Sequence, residues 1–100
     1  MRFELTDNLL TLFFEGELNS YNADVMEKEI DEVLSSSKFQ TLNLDFAKLN
    51  YISSAGLRIM LITMQRMEAQ GEMIVKNVCP EVMDVFEITG FIEDLTIENE

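Results

Sequence analysis

Two adjacent serines, Ser53 and Ser54, are the residues of this chain best placed to do chemistry. They follow an alternating stretch that includes Asp45 and Phe46, and they precede Ala55-Gly56-Leu57, where the apolar spacing becomes helical. A serine at such a junction caps the helix, because its hydroxyl accepts a hydrogen bond from a free N–H of the first turn. On spacing alone, one serine caps and the other fills space. The same position also suits a phosphate, which meets the positive end of the helix dipole and unpaired N–H groups. Phosphorylation adds roughly −1.5 to −2 charges at neutral pH. The fold can tolerate that charge at a helix start, whereas a partner docked there faces a buried dianion.

Catalysis by these serines lacks its other parts. The chain has no His, so there is no His base, no Ser-His-Asp triad and no His metal ligand. Lys48 is near in sequence, but nothing marks it as a desolvated base paired to a serine. Phosphate-binding loops of the G-x-x-x-x-G-K-[ST] or G-x-G-x-x-G type are missing. The acidic residues Asp24, Glu27, Asp31 and Glu32 follow a solvated helix face, not a cation loop. Neither a cofactor nor a metal is expected, and the chain is not expected to be an enzyme.

With 7 Lys and Arg against 19 Asp and Glu, the formal charge is −12. That argues against nucleic acid and against insertion into or adsorption onto an anionic membrane. No stretch approaches the ~20 apolar residues of a membrane span. Cys79, the single cysteine, suits a reducing compartment, so a cytoplasmic protein is expected, monomeric when free. At 100 residues and 47% hydrophobic, residues 1–100 read as one globular domain.

The elements that position the serines follow from periodicity. Phe3 and Leu5 alternate with polar neighbours as a strand, Asp7-Asn8 supplies a turn, and Leu10, Leu12 and Phe14 line a second strand, giving a hairpin. Ala23, Met26, Ile30, Val33 and Leu34 form a helical stripe over about Asn22 to Ser35. Thr41 to Phe46 alternates as a third strand, with a short loop from there to the serines. Leu57, Met60, Leu61, Met64 and Met67 make the core stripe of a second helix ending near Gly71. Ile59 and Ile62 fall roughly opposite that stripe, where they either form an exposed apolar patch beside Ser54, a docking place for a partner, or are buried by neighbouring elements. Glu72 to Val78 is a fourth strand. Pro80 starts a short helix bearing Val82, Val85 and Phe86 and closed by Gly90, and Leu95 to Ile97 is a last strand. The order β-β-α-β-α-β-α-β predicts an α/β fold, a mixed sheet with an N-terminal hairpin, then parallel strands, and helices packed on it.

Three segments carry a family resemblance. Gly16-Glu17-Leu18-Asn19-Ser20-Tyr21-Asn22-Ala23 resembles a G-E-L-D-x-x-[TN]-A segment. Ser53-Ser54-Ala55-Gly56-Leu57 matches a [DS]-S-[SA]-G-[LI] core, and Val85 to Phe91 is similar to a closing V-F-x-[IL]-x-G-[FL] pattern. Together they resemble the STAS domains, and within them the bacterial anti-sigma-factor antagonists. The resemblance implies that a cognate anti-sigma-factor serine kinase binds the unmodified domain and releases its sigma factor. Phosphorylation at Ser54, with Ser53 as the alternative, then frees the antagonist until a phosphatase restores it. Ser53 stands where many members carry Asp, Ala55 where some carry a second Ser, Arg58 where Gly is frequent, and Asn19 where Asp is usual. The implied partner surface comprises Asn19, Ser20, Tyr21 and Asn22 together with Ser53, Ser54, Ala55, Gly56, Arg58, Ile59 and Ile62. The alternative is a STAS scaffold or interaction module, never phosphorylated, in another signalling or transport complex.

Overall fold

Alternating apolar residues make the hairpin that starts the sheet. In the computed structural model, which describes residues 1–99, β1 (Arg2–Thr6) pairs antiparallel with β2 (Leu9–Leu18). Asp7 between them takes a left-handed φ of 55°, a conformation that Asp tolerates better than most residues. The chain then alternates helix and strand through α1 (Ala23–Ser36), β3 (Thr41–Ile52), α2 (Ser54–Glu68), β4 (Glu72–Lys76) and α3 (Pro80–Thr89). A 3₁₀ turn at Phe91–Glu93 leads to β5 (Ile97–Glu98). The strands lie in the order β1-β2-β3-β4-β5, and every pair after the hairpin is parallel.

That sequential order has a steric consequence. Successive crossovers of one hand, each moving one strand along, must lie on one side of the sheet. Leu10, Leu12 and Phe14 of β2, Leu42, Leu44 and Phe46 of β3, and Val75 of β4 accordingly share one core with the helices. Ile30 and Leu34 of α1, Leu57, Met60 and Met67 of α2, and Val82 and Phe86 of α3 complete it. Phe14 and Phe46 meet edge to face at 5.1 Å between ring centroids. The opposite sheet face carries Thr11, Phe13, Asp45, Ile74 and Lys76, all half-buried. Buried Asn43 lies on that same face, and its Oδ1 has no partner among the described residues.

The structure corrects several expected boundaries. β3 does not stop at Phe46 but runs on to Ile52. β2 continues beside it through two register shifts, pairing Gly16 with Leu49 after the first, and Glu17 with Tyr51 and Leu18 with Ile52 after the second. A bulge displaces the side-chain alternation by one residue, so this stretch does not show a strand period in the sequence. β4 ends at Lys76, short of Val78, because Asn77 turns out of the sheet at a φ of 59°. β5 is Ile97–Glu98, not Leu95–Ile97. Leu95 is instead half-buried against the core.

The face of α2 is also rotated from the expected one. Ile59 is only 3% exposed, whereas Leu61, read as core, is 39% exposed. The helix packs against α1 as well as the sheet, so its buried arc widens on the α1 side to take in Ile59 and Thr63. Single-helix periodicity cannot show on which side a second neighbour sits.

Candidate functional site

The first turn of α2 is seated by three fixed points. Ser53 caps it in an extended conformation, and its Oγ accepts a long bond, 3.4 Å, from Gly56 N. The Ser53 N–H in turn donates to Leu18 O at 2.9 Å, continuing the β2–β3 ladder to its last rung. Gly56 is the third. A Cβ there would lie 2.7 Å from Ile52 Cγ1 and 2.9 Å from Leu18 Cγ, inside any ordinary contact. A side chain at position 56 would push the helix start off the ends of β2 and β3.

Ser54, the first residue of α2, is exposed, and its hydroxyl has no partner among the described residues. The two serines therefore divide: Ser53 holds the helix and Ser54 is open to solvent. Ala55 is half-buried against the core, and Gly56 is buried. Arg58, one turn on, is exposed and makes no hydrogen bond or ion pair among the described residues. The other two arginines are both engaged, Arg2 by Glu4 and Arg66 by Asp31. α2 has no acidic residue in its first turn, so nothing there offsets the positive helix end.

The loop Asn19–Asn22 reaches this helix start through Leu18. Its two asparagines are spent on the loop itself. Asn19 Oδ1 accepts from the N–H groups of Tyr21 and Asn22, at 2.9 and 3.2 Å. Asn22 Oδ1 accepts from Asn19 N at 2.9 Å, and Asn22 Nδ2 donates to Glu17 O at 2.7 Å. These reciprocal bonds give the chain a rigid turn into α1, in the manner of side-chain capping. Ser20 and Tyr21 are left exposed, Tyr21 at 95%.

Of the two outcomes open for Ile59 and Ile62, burial holds for the first and exposure for the second, so no paired patch forms. Both line a small groove of about 120 Å³ between α1 and α2, with Ile30, Leu34, Thr63 and Arg66, but Ile59 is buried and only Ile62 reaches the surface. Two apolar residues that the sequence reading passed over do stand exposed on the segments meeting this helix end. Tyr51 is 48% exposed opposite Glu17, and Val25 is 62% exposed in the first turn of α1. Recognising Tyr51 needed β3 to be read past Phe46. Val25 was visible as the one apolar residue off the α1 stripe.

Asp45 lies away from the serines, where β4 leaves β3. Its Oδ1 accepts from Ala47 N at 2.9 Å and from Asn77 Nδ2 at 3.4 Å, which closes the end of that ladder. Among the described residues no three His, Cys, Asp or Glu side chains gather as a metal site. A cleft of about 310 Å³ opens between Phe13, Phe14, Met26 and Lys48, and no residue from Ser53 to Ile62 lines it. No helix is long and apolar enough to cross a membrane among the described residues. What the helix start offers chemically is a free hydroxyl, a free guanidinium and a positive helix end.

Known proteins resemble this chain in sequence and fold. The family model for the STAS domain matches residues 1–100. A Bordetella bronchiseptica protein named as anti-sigma factor antagonist BtrV is 35% identical over 94 residues, 93% of this chain and 80% of that protein. The anti-sigma-B factor antagonist of Listeria monocytogenes is 27% identical over 95 residues, 94% of this chain and 82% of that one. Among solved structures, the anti-sigma factor antagonist SpoIIAA in its unphosphorylated form superposes with a TM-score of 0.82 at 23% identity, covering 99% of this chain and 86% of that one. Its phosphorylated form gives 0.74 at 22% identity, covering 99% and 89%. The family match over the whole length, the identity to BtrV and the shared β-β-α-β-α-β-α-β fold lead to one conclusion: this chain belongs to the STAS domain family, among homologues named anti-sigma factor antagonists.

Proposed function

We propose that residues 1–100 form one cytoplasmic regulatory domain that binds an anti-sigma-factor serine kinase and is released from it when Ser54 is phosphorylated. The observation that carries this reading is the division of labour between the serines: Ser53 Oγ is used as the helix cap, and the Ser54 hydroxyl is exposed and unpartnered. In the transfer, Ser54 Oγ takes the γ-phosphoryl group of the kinase's nucleoside triphosphate, the diphosphate leaves, and the hydroxyl proton is lost. Ser54 is then a substrate residue, and the domain performs no catalysis of its own. Solved relatives in unphosphorylated and phosphorylated forms support a modification that leaves the fold intact.

The switch is electrostatic. Unmodified, the first turn of α2 presents the uncharged Ser54 hydroxyl beside half-buried Ala55, with exposed Arg58 one turn on. A dianion on Ser54 is stabilised in the free domain by the helix end and by water. Docking strips that water away, and the desolvation cost falls on the complex alone. Removal of the phosphate by a phosphatase restores binding.

The first test is site-resolved phosphopeptide mapping of the protein from its host cells. Phosphate on Ser54 supports the cycle, and phosphate on Ser53 moves the site by one residue. Well-covered peptides carrying neither, under several growth conditions, turn the reading towards an unphosphorylated STAS scaffold. With the kinase in hand, Ser54→Ala is expected to bind like wild type and never be released, and Ser54→Asp to fold normally and bind at least ~10-fold more weakly, a difference of ~1.4 kcal/mol. Equal affinity of all three removes the switch.

A further inference from the structure

The unpartnered guanidinium beside Ser54 has a use that deepens this reading. Ser54 and Arg58 are four residues apart on α2, which brings them to within about 40° around the helix and about 6 Å along it. Both are exposed, on the side away from buried Gly56, Leu57 and Met60. Side chains on a helix lean towards its N-terminus, so Arg58 leans back over the turn that Ser54 begins. In a chain carrying 19 acidic residues, an arginine with no acidic partner is a notable vacancy, and Arg2 and Arg66 are both paired.

Resting on the reading that Ser54 carries the phosphate, we propose that Arg58 is a positioning residue that holds the Ser54 phosphate within the same helix. The guanidinium fork matches two phosphate oxygens, a stronger pairing than a point charge makes. The acids on the elements meeting this helix end are Glu17 of β2 and Asp24 and Glu27 of α1, the last lining the groove with Ile59 and Ile62. All three oppose the dianion, and Glu17 Oε1 is already held by Asn19 Nδ2 at 3.3 Å. Arg58 is the one cation on the first two turns of α2 and counters them. Phosphorylation thus changes two features of the surface: it adds a dianion, and it withdraws the free arginine that the unmodified domain shows a partner.

The test uses the full chain with phosphoserine incorporated at position 54 during synthesis, so that no kinase is involved. Its phosphorus NMR signal is followed against pH for the wild type, Arg58→Gln and Arg58→Lys, with thermal unfolding checking that all three fold. A guanidinium bound to the dianion lowers the second ionisation, so wild type is expected about half a unit below Arg58→Gln, roughly a threefold change in proton affinity. Arg58→Lys should recover part of that shift, and ~1 M salt should largely erase it, since the pair is exposed. The helix end acts equally on all three variants and cancels. Coincident titrations for the wild type and Arg58→Gln overturn the proposal while leaving phosphorylation of Ser54 standing. An unphosphorylated protein in the host would overturn the switch without touching the titration result.

Discussion

At both ends of α2 a glycine lets the helix press against a strand terminus. Gly56 meets Ile52 and Leu18, and a Cβ on Gly71 would fall 1.8 Å from Gln40 O. Around Gly71, however, the backbone and the side chains of Arg66 and Gln70 are engaged within the fold. Gly71 N and Gln70 N donate to Met67 O, Glu72 N to Gln40 O, Gln70 Nε2 to Phe39 O, and Arg66 bridges to Asp31 and Ser35 of α1. Around Gly56 the backbone is held equally well, but a hydroxyl and a guanidinium are left over, on Ser54 and Arg58. The C-terminal end of the helix spends its arginine and the following Gln70 on the fold. The N-terminal end is fixed by backbone and cap, which frees its side chains for something outside the fold.

The contrast can be broken by substitution. Gly71→Ala is expected to have the largest effect, a loss of about 3 kcal/mol or more, because the clash is with backbone that cannot step aside. Urea unfolding measures it, and a loss under 1 kcal/mol would mean that this junction is looser than its geometry. Gly56→Ala should cost less. Its close neighbours are mainly side chains, so a strain of about 1–3 kcal/mol is partly offset by the ~1 kcal/mol by which alanine favours a helix over glycine. Its partner affinity should nevertheless fall, since the displaced first turn carries Ser54; unchanged affinity would separate the seat from the site. The two serines give the smallest effects. Ser53→Ala should lose about 0.5–1 kcal/mol, the lower part of the range for a cap, because its bond is long. Ser54→Ala should stay within about 0.5 kcal/mol of wild type in stability while losing the modification. If Ser54→Ala destabilises more than Ser53→Ala, the division of roles is reversed.

Much of this was legible beforehand because it is local. The order of elements follows from two periodicities, and Pro80 and Gly90 mark the bounds of α3 where they were expected, Gly90 with a φ of 77°. The serines were placed at the start of α2 by the change of period at Ile52 to Leu57. The extension of β3 was hidden, since Ala47 and Lys48 are both exposed and the bulge in pairing interrupts alternation. The burial of Ile59 was hidden because it depends on α1, a neighbour 25 or more residues away in sequence.

The division at the serine pair shows the same boundary between local and non-local information. Residue types and spacing determined that a helix begins there and that a hydroxyl would cap it. They could not decide which serine caps, because that depends on where the preceding strand ends. The ladder carries β3 to Ile52 and hands the Ser53 N–H to Leu18 O, so Ser53 becomes the cap and Ser54 the free hydroxyl. Helix and turn propensities act within a few residues, whereas strand register is set by a partner more than thirty residues away, here β2 against β3. That register, a tertiary fact, is what turns two adjacent serines into two different groups.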